Sequence, residues 1–400
     1  MMSKKVNIYD ILLFIIIVSL AAGNLGGGFQ PIRVLAILFF PFALVKGFWY
    51  TKLNGFIVYF VCFLVFASLS LLWTSNFTEG LKELVYYLIH FLLFLEILTF
   101  ARYSKNNIKT ISFAWFVCIC ICLSISSWEL ITGNHLEMAR ETDLTFNEGG
   151  VIVDRFALSC TFGNYNGYVT FLCFAFPVLI YFKLLDRYSR LTKYIIPIVL
   201  LVSLLTVTIN GSRGGVVSMS IMLLMLFVFS QRTTKKYIIL VLVLLIGGFI
   251  FVSYYDVIMG TFMLRSSGGA SLTTDEYRFN IWSRSFELYL DSFFIGTGVG
   301  SIIASLDDAL PHNLFLEALV QYGIFALLFF SFLFKTFLKG IRNNDRNKKI
   351  FVWMFYAALP FMSVIDSGYL LAPYLYAFFA TFYIIVYLTK TKAQQTQMVL

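Results

Sequence analysis

Apolar stretches of about eighteen or more residues recur along the whole chain, separated by short polar breaks, and each reads as a membrane-crossing helix. The segments at residues 8–22, 32–45, 53–72, 82–100, 109–127, 166–182, 194–209, 214–230, 237–255, 313–334, 350–365 and 370–389 carry this pattern. Two of the breaks are long. The first, 128–165, mixes acidic, basic and polar positions, and the second, 256–312, holds a predicted helix over 275–290 with Thr274-Asp275 as its N-cap. The predicted fold is all-α: a polytopic helical membrane protein of about twelve spans in a single unit over 1–400, its two long loops containing helices. No small-residue cleavage site follows the first span and further apolar segments come at once, so that span is not expected to be a cleaved signal.

Composition sharpens this picture. The chain has 400 residues, 60% of them hydrophobic and 18% aromatic, which excludes an ordinary soluble protein. The net charge of +9 invites a nucleic-acid reading, but its distribution opposes one. Of 30 Lys and Arg, all but eight fall in the loops that alternate with the N-terminal side. The eight are Arg33, Lys82, Arg140, Arg155, Arg213, Arg265, Arg278 and Arg284. Short basic loops mark the cytoplasm, so both termini are expected inside and both long loops outside. The six cysteines have no Cys-x-x-Cys spacing and read as small packing residues.

The second long loop concentrates candidate chemistry. On its predicted helix, Arg278, Trp282, Phe286 and Tyr289 share one face, which would dock on the membrane domain, while Arg284 lies toward the other side. An inward arginine needs an anionic partner: an acidic residue of the first loop, or a phosphate. The Gly296-Thr297-Gly298-Val299-Gly300 stretch reads as a turn returning the chain to the bilayer. Between spans seven and eight, Asn210-Gly211-Ser212-Arg213-Gly214-Gly215 opens a helix N-terminus with bare backbone amides and a neighbouring cation. That is a natural anion site, against the plainer reading of a snorkelling arginine at a close-packed turn.

Pro311 suits the first turn of the next span, with Asn313, Glu317 and Gln321 forming a polar stripe at four-residue spacing. Such a stripe is expected to face the bundle interior or a wet cavity. His312, at its mouth, is placed either as a helix-capping histidine or as a general base toward a hydroxyl. His90 and Glu96 read as interior hydrogen-bonding residues, and His135 as a solvated loop residue. There is no His-Glu-x-x-His and no Asp-x-Asp, and the Asp307-Asp308 pair reads as a cap or solvated turn, so neither a metal nor a cofactor is expected.

Together these segments resemble the O-antigen ligase and Wzy-type polysaccharide polymerase superfamily. The resemblance rests on Asn210 to Gly215, Tyr277-Arg278-Phe279-Asn280-Ile281-Trp282, Ile295 to Gly300, and Pro311-His312-Asn313 running on to Tyr322-Gly323-Ile324. Phe162-Gly163-Asn164-Tyr165-Asn166-Gly167 is similar to the family's Asn-Pro-Asn segment, with Tyr165 in the proline's place. It implies a GT-C-like, metal-independent, inverting glycosyltransferase of the bacterial inner membrane, working on its periplasmic face. The donor implied is a glycan on undecaprenyl diphosphate, and the acceptor a hydroxyl of the next lipid-linked repeat. Arg213 and Arg278 would hold the diphosphate and His312 would activate the hydroxyl. Asn166, Asn210, Ser212, Arg265, Tyr277, Arg284, Asn313 and Glu317 would bind substrate. Membrane lipids, a chain-length regulator and a flippase would be partners, and nucleic acid would not. A polymerase is favoured over a ligase that moves finished polymer to lipid A-core or protein. A transporter or flippase is the rival from another class.

Overall fold

Asn7 starts the first helix by accepting the Tyr9 amide on its side-chain oxygen, and side-chain caps of this kind recur at Asn76, Asn164, Asn313 and Asp345. The computed structural model describes residues 7–25, 30–45, 55–136, 143–148, 151–186, 189–230, 270–306, 310–343 and 345–388. Five helices precede the first long loop: α1 (Ile8–Val18), α2 (Pro31–Val45), α3 (Gly55–Leu69), α4 (Phe77–Tyr103) and α5 (Asn107–Thr132). Strands β1 (Asp143–Glu148) and β2 (Val151–Phe156) then pair antiparallel, Asp143 opposite Phe156. This hairpin is where the first long loop departs from the expected helices. Its alternation of Val151 and Val153 with Ile152 and Asp154 supplies β-branched residues suited to a strand.

Helices α6 (Tyr165–Leu185), α7 (Ile196–Ile209) and α8 (Arg213–Ser230) follow. The expected span at 237–255 lies outside the described residues. The chain resumes with α9 (Ala270–Asp291), α10 (Ile302–Ser305), α11 (Leu314–Tyr322), α12 (Ala326–Ile341), α13 (Arg346–Met362) and α14 (Pro373–Tyr383). Over the described residues, every other expected span is largely helix. Among the described residues five stretches are long and apolar enough to cross a membrane: Phe77–Tyr103, Asn107–Thr132, Tyr165–Leu185, Leu191–Ile209 and Leu314–Ile341. Shorter apolar helices accompany them.

Position in the bundle follows from which faces are apolar. In α6 every side chain from Gly167 to Phe182 is buried, and so is every one in α14, so these two are interior shafts. Helix α7 instead turns Ile198, Leu201 and Leu205 outward, each more than half exposed. Exposed aliphatics in a row fit a surface bathed in hydrocarbon, where a helix satisfies its own backbone. Helix α4 packs on α2 and α14, α13 packs on α6 and α8, and α9 packs on α11.

Two boundaries differ from expectation. Helix α9 begins at Ala270, so Thr274 and Asp275 lie within it rather than capping it. Helix α11 begins at Leu314 with Asn313 as its cap, so Pro311 precedes the helix instead of filling its first turn. The 28-residue stretch 314–341 is also broken at Gly323, whose φ is +54°. The 296–300 turn returns the chain to the bundle and clasps that break. Thr297 and Gly298 donate to the Val320 and Gln321 carbonyls at 2.7 and 3.0 Å, and Ile324 donates to Phe294 at 2.8 Å. On its other side the turn is held by Ser70, Trp73 and Thr74 at the α3–α4 junction.

Candidate functional site

Helix α9 is laid against the start of α11 through a face centred on buried Ile281 and Ser285, with Leu288 partly buried below them. The Trp282 indole donates to the Pro311 carbonyl at 2.7 Å, tying α9 to the residue before His312. Phe286, expected on this face, is half exposed: the face runs through 281 and 285, and position 286 lies too far round. Arg278 is half-buried one turn before Trp282 and close enough to His312 for its charge to act on the imidazole. Arg284 is exposed.

His312 occupies an unusual backbone state, with φ at +47°. Left-handed backbone is strained for a residue with a side chain and costs on the order of 1–3 kcal/mol, so it persists only where the surroundings fix it. Here they do so on both flanks. Pro311 is gripped by Trp282, and Asn313 accepts the Phe315 and Leu316 amides on its side-chain oxygen. The imidazole Nδ1 is buried with no hydrogen-bond partner among the described residues. Burial, and then the Arg278 charge, push the His312 pKa down to about 4. At neutral pH the ring is therefore uncharged and able to accept a proton.

The turn between α13 and α14 organises the rest of this end, and sequence reasoning passed it over. Ser363 accepts the Leu314 amide at 2.9 Å, and Gly368 donates to Glu317 Oε2 at 3.0 Å, so the turn is bonded to the first residues of α11. A Cβ on Gly214 would lie 2.9 Å from the Phe361 carbonyl oxygen, which puts the start of α8 against the same segment. One on Gly167 would lie 3.2 Å from Asp366 Oδ2, which places the start of α6 there too. Tyr369 shapes the turn: its hydroxyl accepts the Ile365 and Asp366 amides and donates to the Met362 carbonyl. Burial pushes the Asp366 carboxyl up to about 7. The available signal was a lone carboxylate in an Asp366-Ser367-Gly368 turn between two apolar spans.

The remaining candidates fall into place around this hub. Both amide atoms of Asn210 engage the Leu158 backbone, at 2.7 and 2.9 Å, so this side chain braces the segment before α6. Ser212 accepts the Gly215 amide as the expected cap of α8, and Arg213 is exposed at that helix's first position. Asn166 is half-buried in the first turn of α6, which Asn164 caps. Arg265 and the Tyr277 side chain lie outside the described residues, as do Asp307 and Asp308.

The polar stripe does face the bundle interior. Glu317 and Gln321 are buried, and Gln321 reaches Glu83 at 3.4 Å, with Tyr87 and Tyr322 completing a hydrogen-bonded group. His90 accepts from Arg33 Nε at 3.1 Å, an interior hydrogen bond as expected. Glu96 differs: neither carboxylate oxygen has a partner among the described residues. His135 differs as well. It is paired at 3.0 Å with Glu129, whose complete burial draws the imidazole in from solvent.

Comparison with known proteins agrees with the resemblance seen in the motifs. Residues 198–331 match the family described as O-Antigen ligase. That match takes in α8, α9, the 296–300 turn and the His312 segment. The chain is also 22% identical over 297 residues to the teichuronic acid biosynthesis protein TuaE of Bacillus subtilis (strain 168). The similarity covers 69% of this chain and 58% of that relative's length.

Proposed function

We propose that this protein is a membrane glycosyltransferase that polymerises lipid-linked glycan repeats at the outer face of a bacterial cytoplasmic membrane. The carrying observation is the juxtaposition of an uncharged, conformationally fixed His312 with Arg278, on a chain matching the O-Antigen ligase family. The relative's part in teichuronic acid biosynthesis supports a polymer-building role.

In the proposed reaction the acceptor hydroxyl attacks the anomeric carbon of a glycan on undecaprenyl diphosphate. The bond from that carbon to the phosphate oxygen breaks, and the diphosphate leaves with the electron pair. His312 takes the hydroxyl proton, and the anomeric centre inverts. Arg278, beside the base, and Arg213, at the positive end of α8, compensate the charge growing on the leaving group. Arginine does this bidentately, without a bound cation. A ligase would share this donor chemistry and differ in its acceptor.

The test is transfer by the purified full chain between lipid-linked repeat units, with and without excess EDTA. Polymer formation that withstands the chelator is expected. Activity lost with EDTA and restored by magnesium or manganese would overturn the arginine-based mechanism. Transfer to lipid A-core with no growth of repeats would replace polymerase by ligase.

A further inference from the structure

A cavity of about 250 Å³ opens where the segments 20–24 and 30–33, α4, α6 and the segment from Asp366 to Tyr374 meet. Its wall includes Gln30, Arg33, Tyr86, Asn164, Asp366 and Ser367. The site described above uses none of Gln30, Arg33 or Tyr86. Gly368, also in the wall, is bonded to Glu317, one helical turn beyond Asn313, so the cavity adjoins the His312 segment.

The wall is built rather than incidental. The Gln30 amide nitrogen donates to Asn24 Oδ1, and Asn24 in turn donates to the Phe162 carbonyl. That chain fixes the Gln30 amide, yet its Oε1 is buried with no hydrogen-bond partner among the described residues. Arg33 is stacked 3.7 Å over the Tyr86 ring and donates to His90 and to the Leu371 carbonyl, so the cation is part of the wall. Asp366 is buried beside the first turn of α6.

These groups select a ligand class. A buried acceptor without a donor costs about 1–3 kcal/mol, which a hydroxyl would recover. A phosphate offers no donor when ionised, so it would leave Gln30 Oε1 unpaired. A bare cation would meet Arg33, and a hydrocarbon tail would strand the polar wall. What remains is an uncharged, hydroxyl-rich molecule. Pockets of about 300–1,000 Å³ hold drug-sized ligands, so this smaller one suits a single ring.

We infer that the cavity is a sugar subsite, receiving one pyranose ring of the acceptor glycan, with Gln30 and Asp366 accepting its hydroxyl hydrogens. The donor's reacting ring is excluded because the proposed mechanism holds its diphosphate between Arg278 and Arg213, outside this wall. This assignment rests on the proposed glycan transfer, which places sugars next to His312.

The test uses the full chain in detergent and the water-soluble oligosaccharide repeat released from the native polymer. Saturation-transfer NMR should report sugar contacts for wild type and equally for His312→Ala. Gln30→Ala and the isosteric Asp366→Asn should weaken binding about tenfold each, the scale of one lost hydrogen bond. They should raise the KM for lipid-linked acceptor similarly and leave the single-turnover rate at saturation near wild type. Should Gln30→Ala aggregate, Asp366→Asn alone carries the test. Wild-type sugar binding and KM in the folded variants, with His312→Ala inactive, would overturn the subsite and leave the transferase standing. Lost sugar contacts in the variants of a wild-type protein that transfers no glycan would do the reverse.

Discussion

Two irregular segments grip the span 314–341, and they do so by different means. The 292–300 turn is joined to it chiefly through backbone amides and carbonyls, with the Thr297 hydroxyl also donating to Val320, and Gly296, Gly298, Gly300 and Gly323 all have positive φ. The turn between α13 and α14 is joined to it partly through a side chain, Glu317 on the span, which accepts the Gly368 amide, while Tyr369 shapes the turn from within. The first contact tolerates almost no change of residue. A Cβ on Gly323 would lie 2.0 Å from the Phe294 carbonyl oxygen, and one on Gly300 2.3 Å from the Gly80 nitrogen. The second places a buried carboxyl, Asp366, in a turn that meets the starts of α6, α8 and α11. One turn anchors the span, and the other furnishes a chemical surface.

Gly323→Ala tests the anchor most severely. The substitution forces a left-handed alanine, costing about 1–3 kcal/mol, and a backbone clash costing about 1–3 kcal/mol more. Loss of folded protein in the membrane fraction, and of polymer with it, is the expected result. Normal accumulation and thermal stability would mean that the clasp is not an anchor.

Next in size, His312→Ala and Arg278→Ala should each lower transfer by about 10²–10⁴-fold, the usual cost of removing a general base or a charge stabiliser, with folding retained. Arg284→Ala should cost little, since that side chain is exposed on the other side of α9. Wild-type chain lengths from both of the first two variants would remove the site from this end of the bundle.

The pH profile gives a subtler reading. An unperturbed histidine titrates near 6.5, whereas burial and the Arg278 charge bring His312 down to about 4. The lowered value favours the neutral base, so activity should persist through pH 6 and fall only as pH approaches 4. Arg278→Gln removes the charge but not the burial, and should move the acid limb of the residual activity upward. An acid limb at 6.5 in wild type, unmoved in the variant, would contradict the described contact. Smallest of all, Glu317→Gln retains an acceptor for the Gly368 amide and should shift the melting temperature by only a few degrees.

The same contrast explains what was legible in the chain. Apolar runs announced the spans because bilayer thickness sets a length that composition must satisfy. The Gly296–Gly300 turn was legible because positive φ selects glycine, and the Asn313 stripe because four-residue spacing fixes a helical face. Asp366 was not, since its importance comes from three helix starts meeting at one turn, a fact of tertiary packing. Phe286 misled for a related reason: spacing on α9 allowed several faces, and contact with α11 chose the one through Ile281 and Ser285. His135 looked solvated because nothing local signals that Glu129 lies buried within reach.

The break at Gly323 also bears on how the protein is made. Val320 and Gln321 present carbonyls to the 296–300 turn, and a bilayer interior has no water to replace that turn. Chains emerge from the ribosome N-terminus first. The α3–α4 junction with Ser70, Trp73 and Thr74 is therefore complete before the turn appears, and the turn before the span that needs it. Each piece meets a receptor already in place, so the order of synthesis is also the order in which membrane-buried carbonyls find their donors.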